Sequence, residues 1–133
     1  MLKKYPTEVK LVYKSFPLKN HEFARPAAQA AFAAGKQNKF WQMHDALLEN
    51  YDSLNEEKIQ SLAESIGLDL ARFEKDRADE EISNHILADI RNGETAGVNG
   101  TPTIFVNGRQ LKSLSMMGFQ KAIEKELATK NKP

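Results

Sequence analysis

Cysteine is absent from all 133 residues. For these residues that excludes disulfide staples, thiolate metal sites and cysteine nucleophiles together. Long hydrophobic runs are also absent: no apolar stretch approaches the roughly 20 residues that cross a bilayer as a helix. The opening Met1-Leu2-Lys3-Lys4-Tyr5-Pro6 has no apolar core of a secretory signal, and a mature or shortened chain would lack one too. Neither sign of charge dominates, since 19 Lys and Arg face 18 Asp and Glu for a net of +1. So small a total gives no electrostatic case for nucleic acid or an anionic membrane. Gly97-Val98-Asn99-Gly100 lacks both the spacing and the lysine of a phosphate-binding loop, and no serine-nucleophile elbow is found. His21, His44 and His85 fall on different expected elements, with no carboxylate joining them at ligand spacing. The sequence therefore predicts no catalytic side chain, no metal and no cofactor.

What is present suits one globular protein of α/β type. Val9-Lys10-Leu11-Val12-Tyr13-Lys14-Ser15-Phe16 reads as a strand, with apolar Val9, Leu11 and Tyr13 alternating with Lys10 and Lys14. Val12 breaks the alternation and predicts partial burial on both faces. Pro17 ends the run. A helical zone follows, from about Phe23 to Ala96. Pro26 suits a first helical position ahead of the alanine-rich Ala27–Ala34, with Gly35 as C-cap. Phe40, Trp41, Met43, His44, Leu47 and Leu48 form an apolar helical stripe in which Phe40 and Trp41 read as core. Asn55, Asp69 and Asp79 read as N-caps. The first precedes a helix burying Ile59, Leu62, Ala63 and Ile66 and closed by Gly67. The second precedes a short turn carrying Leu70 and Phe73. The third starts a longer helix with Ile82, Ile86, Leu87 and Ile90 inward.

The chain then returns to sheet. Thr103-Ile104-Phe105-Val106 is a short apolar strand, Asn107-Gly108 is the dipeptide favoured in type I′ hairpins, and Arg109-Gln110-Leu111-Lys112 is the partner. Ser115 starts a last helix with Met116, Phe119, Ala122, Ile123 and Leu127 on one face. Lys121, Glu124, Lys125 and Glu126 give it a mixed-charge side with ion pairs. The tail from Thr129 to Pro133 is expected to fray. A long helical crossover between strands favours parallel pairing, and the hairpin makes the sheet mixed.

Gly97-Val98-Asn99-Gly100-Thr101-Pro102-Thr103-Ile104-Phe105-Val106-Asn107-Gly108 carries the most information. A proline directly before a core strand is tolerated at the strand's first position. GVNGTPTIFVNGR resembles the cis-proline loop, strand and hairpin of DsbA-like thioredoxin-fold proteins. VKLVYKSFPL (Val9–Leu18) is similar to the strand after their active-site helix. FARPAAQAAFAAGKQNKFWQMHDALL (Phe23–Leu48) is similar to the opening of their helical insertion. The three passages occur in the family's order over nearly the whole chain.

The resemblance implies a thioredoxin-like mixed sheet from residues 1–22 and 97–133, with 23–96 as an inserted helical subdomain. It implies thiol–disulfide exchange in protein substrates, outside the cytoplasm of a bacterium. Family members open with a core strand and a helix bearing Cys-x-x-Cys. Here Leu2–Pro6 resembles only the end of that helix, so the chain reads as a truncated portion, catalytically inactive by itself. The resemblance also implies that Gly100, Thr101 and Pro102 offer their backbone to an extended peptide or unfolded protein substrate. Without the first core strand, two strand edges lie open, and self-association into an oligomer is expected. Two alternatives stand beside this reading: a non-catalytic peptide-binding or chaperone-like module, and a relative of the kappa-type glutathione transferases.

Overall fold

The computed structural model describes residues 2–130, and these described residues form six α-helices and one hairpin. In chain order these are α1 (Ala24–Gly35), α2 (Phe40–Glu49), a 3-10 turn (Tyr51–Ser53), α3 (Glu56–Ser65), α4 (Leu70–Arg77) and α5 (Glu80–Thr95). Then come β1 (Phe105–Val106), β2 (Arg109–Gln110) and α6 (Met116–Lys130). The chain divides into two compact units, Met1–Tyr13 with Val98–Pro133, and Lys14–Gly97.

The unit Lys14–Gly97 is built on α1, which touches α2, α3, α4 and α5. Its alanines explain that position. Ala30, Ala33 and Ala34 are fully buried, and side chains this small let neighbouring helices approach closely. The larger groups Met43, Ile59, Phe73 and Ile86 fill the remaining space with no exposure to solvent. Burying one such side chain is worth about 1.5–3 kcal/mol. Helix starts follow the expected chemistry. Asn55, Asp69 and Asp79 accept the backbone N–H of Lys58 at 2.7 Å, Arg72 at 3.0 Å and Glu81 at 3.0 Å. Each such cap contributes about 1 kcal/mol. Gly67, at φ 74°, closes the turn after α3.

Several expectations are corrected here. Pro26 sits two residues inside α1, whose first residue is Ala24, and Gly35 is its last residue, with Lys36 as cap. Residues 70–77 form a full helix rather than a short turn. Leu70, Leu87 and Trp41 are exposed, because periodicity names a helix face but not what covers it.

The other unit contains the hairpin and α6. Val9–Phe16 is not a strand. A strand exists by its ladder, and among the described residues only β1 and β2 pair. Val12, expected to be half-buried, is exposed for the same reason. The hairpin strands are also shorter than expected, although the Leu111 N–H still donates to the Ile104 carbonyl at 2.7 Å beyond β2. Helix α6 turns Ile123 inward, with Phe119, Ala122 and Leu127 half-buried. Met116 is exposed, since nothing among the described residues covers the first turn of that face. Thr129 and Lys130, expected to fray, are helical, and 131–133 lie outside the described residues.

Candidate functional site

The candidate site is the loop that leads into β1, and the hairpin behind it sets its position. Asn107 and Gly108 have φ of 47° and 78°, the left-handed pair that a type I′ turn requires. That turn fixes the antiparallel register Phe105 to Gln110 and Val106 to Arg109. Glu126 on α6 braces it from below. Its Oε2 accepts the Asn107 side-chain amide at 3.1 Å, and its Oε1 lies 3.8 Å from the Arg109 guanidinium.

The loop itself is held by one short bond. Thr103 Oγ1 donates to the Gly100 carbonyl at 2.7 Å, closing a ring over Thr101 and Pro102. The Thr101–Pro102 peptide bond is cis. Thr101 and Pro102 are exposed and Gly100 is half-buried. Among the described residues, neither the N–H nor the C=O of Thr101 has a hydrogen-bond partner. The Ile104 carbonyl is turned toward Leu111, so the alternation of a strand directs the Phe105 N–H and C=O to the opposite edge. A short row of backbone donors and acceptors is thus presented to solvent, which is the chemistry needed to receive an extended chain.

Sequence reasoning placed Gly100, Thr101 and Pro102 here, and the structure brings them together on one loop. It missed the Thr103 hydroxyl, whose signal was a hydroxyl residue three positions after a glycine in a tight loop. It also misassigned the acids of α6. Glu124 and Glu126 do not pair with Lys121 and Lys125. Glu124 accepts from the Gln120 amide at 2.7 Å and the Tyr5 hydroxyl at 3.0 Å, with Lys4 at 3.5 Å. Those three contacts, Gln120 foremost, hold its carboxyl below the usual glutamate range. The histidines serve elsewhere: His44 lies 3.0 Å from Asp45 on α2, and His85 lies 3.6 Å from Asp89 on α5. Among the described residues no group of three or more His, Cys, Asp and Glu is placed to hold a metal ion.

The family model described as Thioredoxin matches residues 1–125. The chain belongs to the thioredoxin family. A solved structure described as a thioredoxin-like oxidoreductase from Silicibacter pomeroyi DSS-3 superposes with a TM-score of 0.77 at 27% identity. That superposition covers 89% of this chain and 68% of the other. The protein is therefore a DsbA-like member of the thioredoxin family, an α/β fold with a helical insertion and a small two-stranded sheet among the described residues. Similar sequences carry other names. The Na(+)/H(+) antiporter NhaA 3 of Salinispora tropica is 42% identical over 105 residues, 78% of this chain and 16% of that protein. The Na(+)/H(+) antiporter NhaA of Herminiimonas arsenicoxydans is 32% identical over 95 residues, 71% of this chain and 15% of that protein. This thioredoxin-family chain thus spans about one sixth of the length of those relatives. Among the described residues, no helix is long and apolar enough to cross a membrane.

Proposed function

We propose that this chain is the substrate-receiving portion of a DsbA-like thiol–disulfide oxidoreductase. An extended segment of a protein substrate docks against Gly100, Thr101 and Pro102, pairing with the Thr101 N–H and C=O. The observation that carries the reading is the unpaired, exposed backbone of Thr101, held out by the Thr103–Gly100 bond. Disulfide exchange proceeds by attack of a thiolate on a disulfide sulfur. With no cysteine in these 133 residues, the thiolates must come from outside them, and the chain alone transfers no electrons.

A second reading, a peptide-binding module with no redox chemistry, is favoured by the same absence of cysteine. The reading frame ahead of Leu2 separates them: a Cys-x-x-Cys there supports exchange, whereas a stop codon supports the binding module. Two assays test the shared core. Insulin reduction by the chain alone is expected at background. Titration with an unfolded, cysteine-free peptide is expected to shift the backbone amide resonances of Gly100, Thr101 and Thr103. Shifts confined to other residues would remove the site from both readings. The open edge of β1 further supports self-association, for which a single monomeric species in light scattering at micromolar concentration is the contrary result.

A further inference from the structure

Asparagine followed by glycine occurs three times, at Asn92-Gly93, Asn99-Gly100 and Asn107-Gly108. Asparagine is a chemically labile residue. Before a glycine it is at its most labile, because no Cβ hinders the glycine nitrogen from reaching the asparagine side-chain carbonyl carbon. That approach needs a backbone free to bend and a side-chain amide free to turn. Two of the three pairs are denied one or both. Asn92-Gly93 lies inside α5, where the Gly93 N–H is committed to the carbonyl four residues earlier. Asn107-Gly108 is the hairpin turn, with both residues at left-handed φ and the Asn107 amide donating to Glu126 Oε2 at 3.1 Å.

Asn99-Gly100 is held by neither device. Asn99 is exposed and lies in the loop ahead of β1, outside any helix or strand. Among the described residues, neither the Asn99 side chain nor the Gly100 N–H has a hydrogen-bond partner. The fold also makes no demand for glycine at position 100. Its φ lies outside the left-handed region, and an added Cβ would meet nothing within 4 Å. The nitrogen of Gly100 and the amide of Asn99 are thus the one Asn-Gly pair of the three with both reacting groups unengaged.

We infer that Asn99 is a site of spontaneous covalent modification, at which the Gly100 nitrogen displaces ammonia from the side-chain amide and remodels the candidate loop. The bond from the Gly100 nitrogen to Asn99 Cγ forms and the Cγ–Nδ2 bond breaks. The Gly100 amide proton leaves with the ammonia. Water then opens the resulting ring. Opening at the side-chain carbonyl gives aspartate. Opening at the main-chain carbonyl gives isoaspartate, in which the chain runs through the former side chain and is longer by a methylene. Either product adds a negative charge beside Gly100. The isoaspartate also displaces Gly100, whose carbonyl accepts the Thr103 hydroxyl at 2.7 Å. The consequence for function, weaker docking of an extended chain, rests on the role proposed above for Thr101.

Trypsin cuts after Arg91 and Arg109, so one peptide carries all three pairs and each serves as a control for the others. The intact chain is incubated at mildly alkaline pH, then unfolded and digested, and fragment mass spectra locate where an amide has become an acid. The change is expected at Asn99 about tenfold faster than at Asn92 or Asn107, the factor set by one hydrogen bond to be given up. Asn99→Gln, which would have to close a less favourable ring, is expected to abolish it. Gly100→Ala is expected to slow it, with circular dichroism unaltered. In the aged chain a second set of Gly100 and Thr103 amide resonances is expected, responding more weakly to unfolded peptide, whereas aged Asn99→Gln keeps a single set. Equal conversion at all three asparagines, or none at Asn99, overturns the inference. So does conversion at Asn99 that leaves the Gly100 and Thr103 resonances in place. A fresh chain that binds no peptide removes the docking role instead, and the mass spectra and resonances still decide the modification and the remodelling.

Discussion

The Asp89 carboxylate on α5 accepts the backbone N–H of Ser15 at 2.9 Å, and both residues are buried, at 4% and 1% exposure. Lys14 Nζ reaches the other carboxylate oxygen at 3.2 Å while its own side chain stays largely in solvent. The bond to Ser15 is the one that matters, because a buried N–H without a partner costs about 1–3 kcal/mol. Asp89→Ala is therefore expected to lower stability by about that amount in urea denaturation followed by circular dichroism. Asp89→Asn keeps an acceptor oxygen and is expected to lose less. Lys14→Met removes only an exposed partner and is expected to change stability by less than about 1 kcal/mol. Equal losses for Lys14→Met and Asp89→Ala would show that the ion pair, not the backbone bond, does the holding.

How far these relationships were legible in the sequence depended on whether they were local. Asn55, Asp69 and Asp79 could be read as caps because a cap and its N–H lie within three residues. Asn107-Gly108 could be read as a turn because both backbone requirements reside in the dipeptide. The reading of Val9–Phe16 as a strand failed because alternation records a side-chain pattern, while a strand needs a partner from elsewhere. Asp89 carried a signal that went unused: it stands seven residues after Ile82 and three after Ile86, a charge set into an apolar stripe. The loop residues Gly100, Thr101 and Pro102 were legible as a candidate site only through resemblance, since nothing in their spacing says that a backbone will be left unpaired.

Gly118 reverses an ordinary rule. In an exposed helix interior, alanine in place of glycine gains about 1 kcal/mol. At Gly118 an added Cβ would collide with the Ser113 carbonyl oxygen and come within 2.8 Å of its Oγ and 2.9 Å of its Cβ. The backbone oxygen cannot swing away as a side chain could. Gly118→Ala is expected to destabilise by about 1–3 kcal/mol, the usual range for overpacking, and to disturb the turn before α6. Thermal unfolding and the amide spectrum of residues 113–118 check this. A rise in melting temperature would show that the turn relaxes.

Lys36 bridges two acids at the start of α5, Asp79 at 2.9 Å and Glu81 at 3.0 Å. The Lys36 hydrogen bond, helped by the Glu81 N–H, holds the Asp79 carboxyl below the usual aspartate range. Asp79 and then Glu81 raise the Lys36 ammonium above the usual lysine range. A depressed carboxyl stabilises the fold above its unfolded value, and that contribution disappears as pH falls through the folded one. A raised ammonium stabilises below its unfolded value and is lost as pH rises through the folded one. The bridge is therefore expected to hold from the mildly acidic to the mildly alkaline range and to fail at both ends. In Lys36→Met, the Asp79 carboxyl is expected to titrate at a higher pH by carbon NMR, while the Glu81 N–H keeps it somewhat low. An unmoved midpoint would assign the whole depression to the helix start.

The Thr103 hydroxyl links the geometry of the loop to its proposed use. It spans Thr101 and Pro102 to hold the Gly100 carbonyl at 2.7 Å, so it fixes the loop without touching any docked chain. Thr103→Val keeps the shape of the side chain and removes the donor. That change is expected to lower stability by only about 0.5–1.5 kcal/mol, the net worth of one hydrogen bond. Its effect on peptide binding should be proportionately greater, because loss of a preorganised backbone is charged to association. Thr103→Ser restores the hydroxyl and is expected to recover binding even if β1 loses some packing. The readout is the concentration of unfolded peptide that half-saturates the amide shifts of Gly100 and Thr101, measured for all three chains. Weakened binding in Thr103→Val with recovery in Thr103→Ser separates positioning by the hydroxyl from a general loosening of the hairpin. Equal weakening in both variants would instead show that any change in how residue 103 packs disturbs the loop, and would remove the hydroxyl from the account.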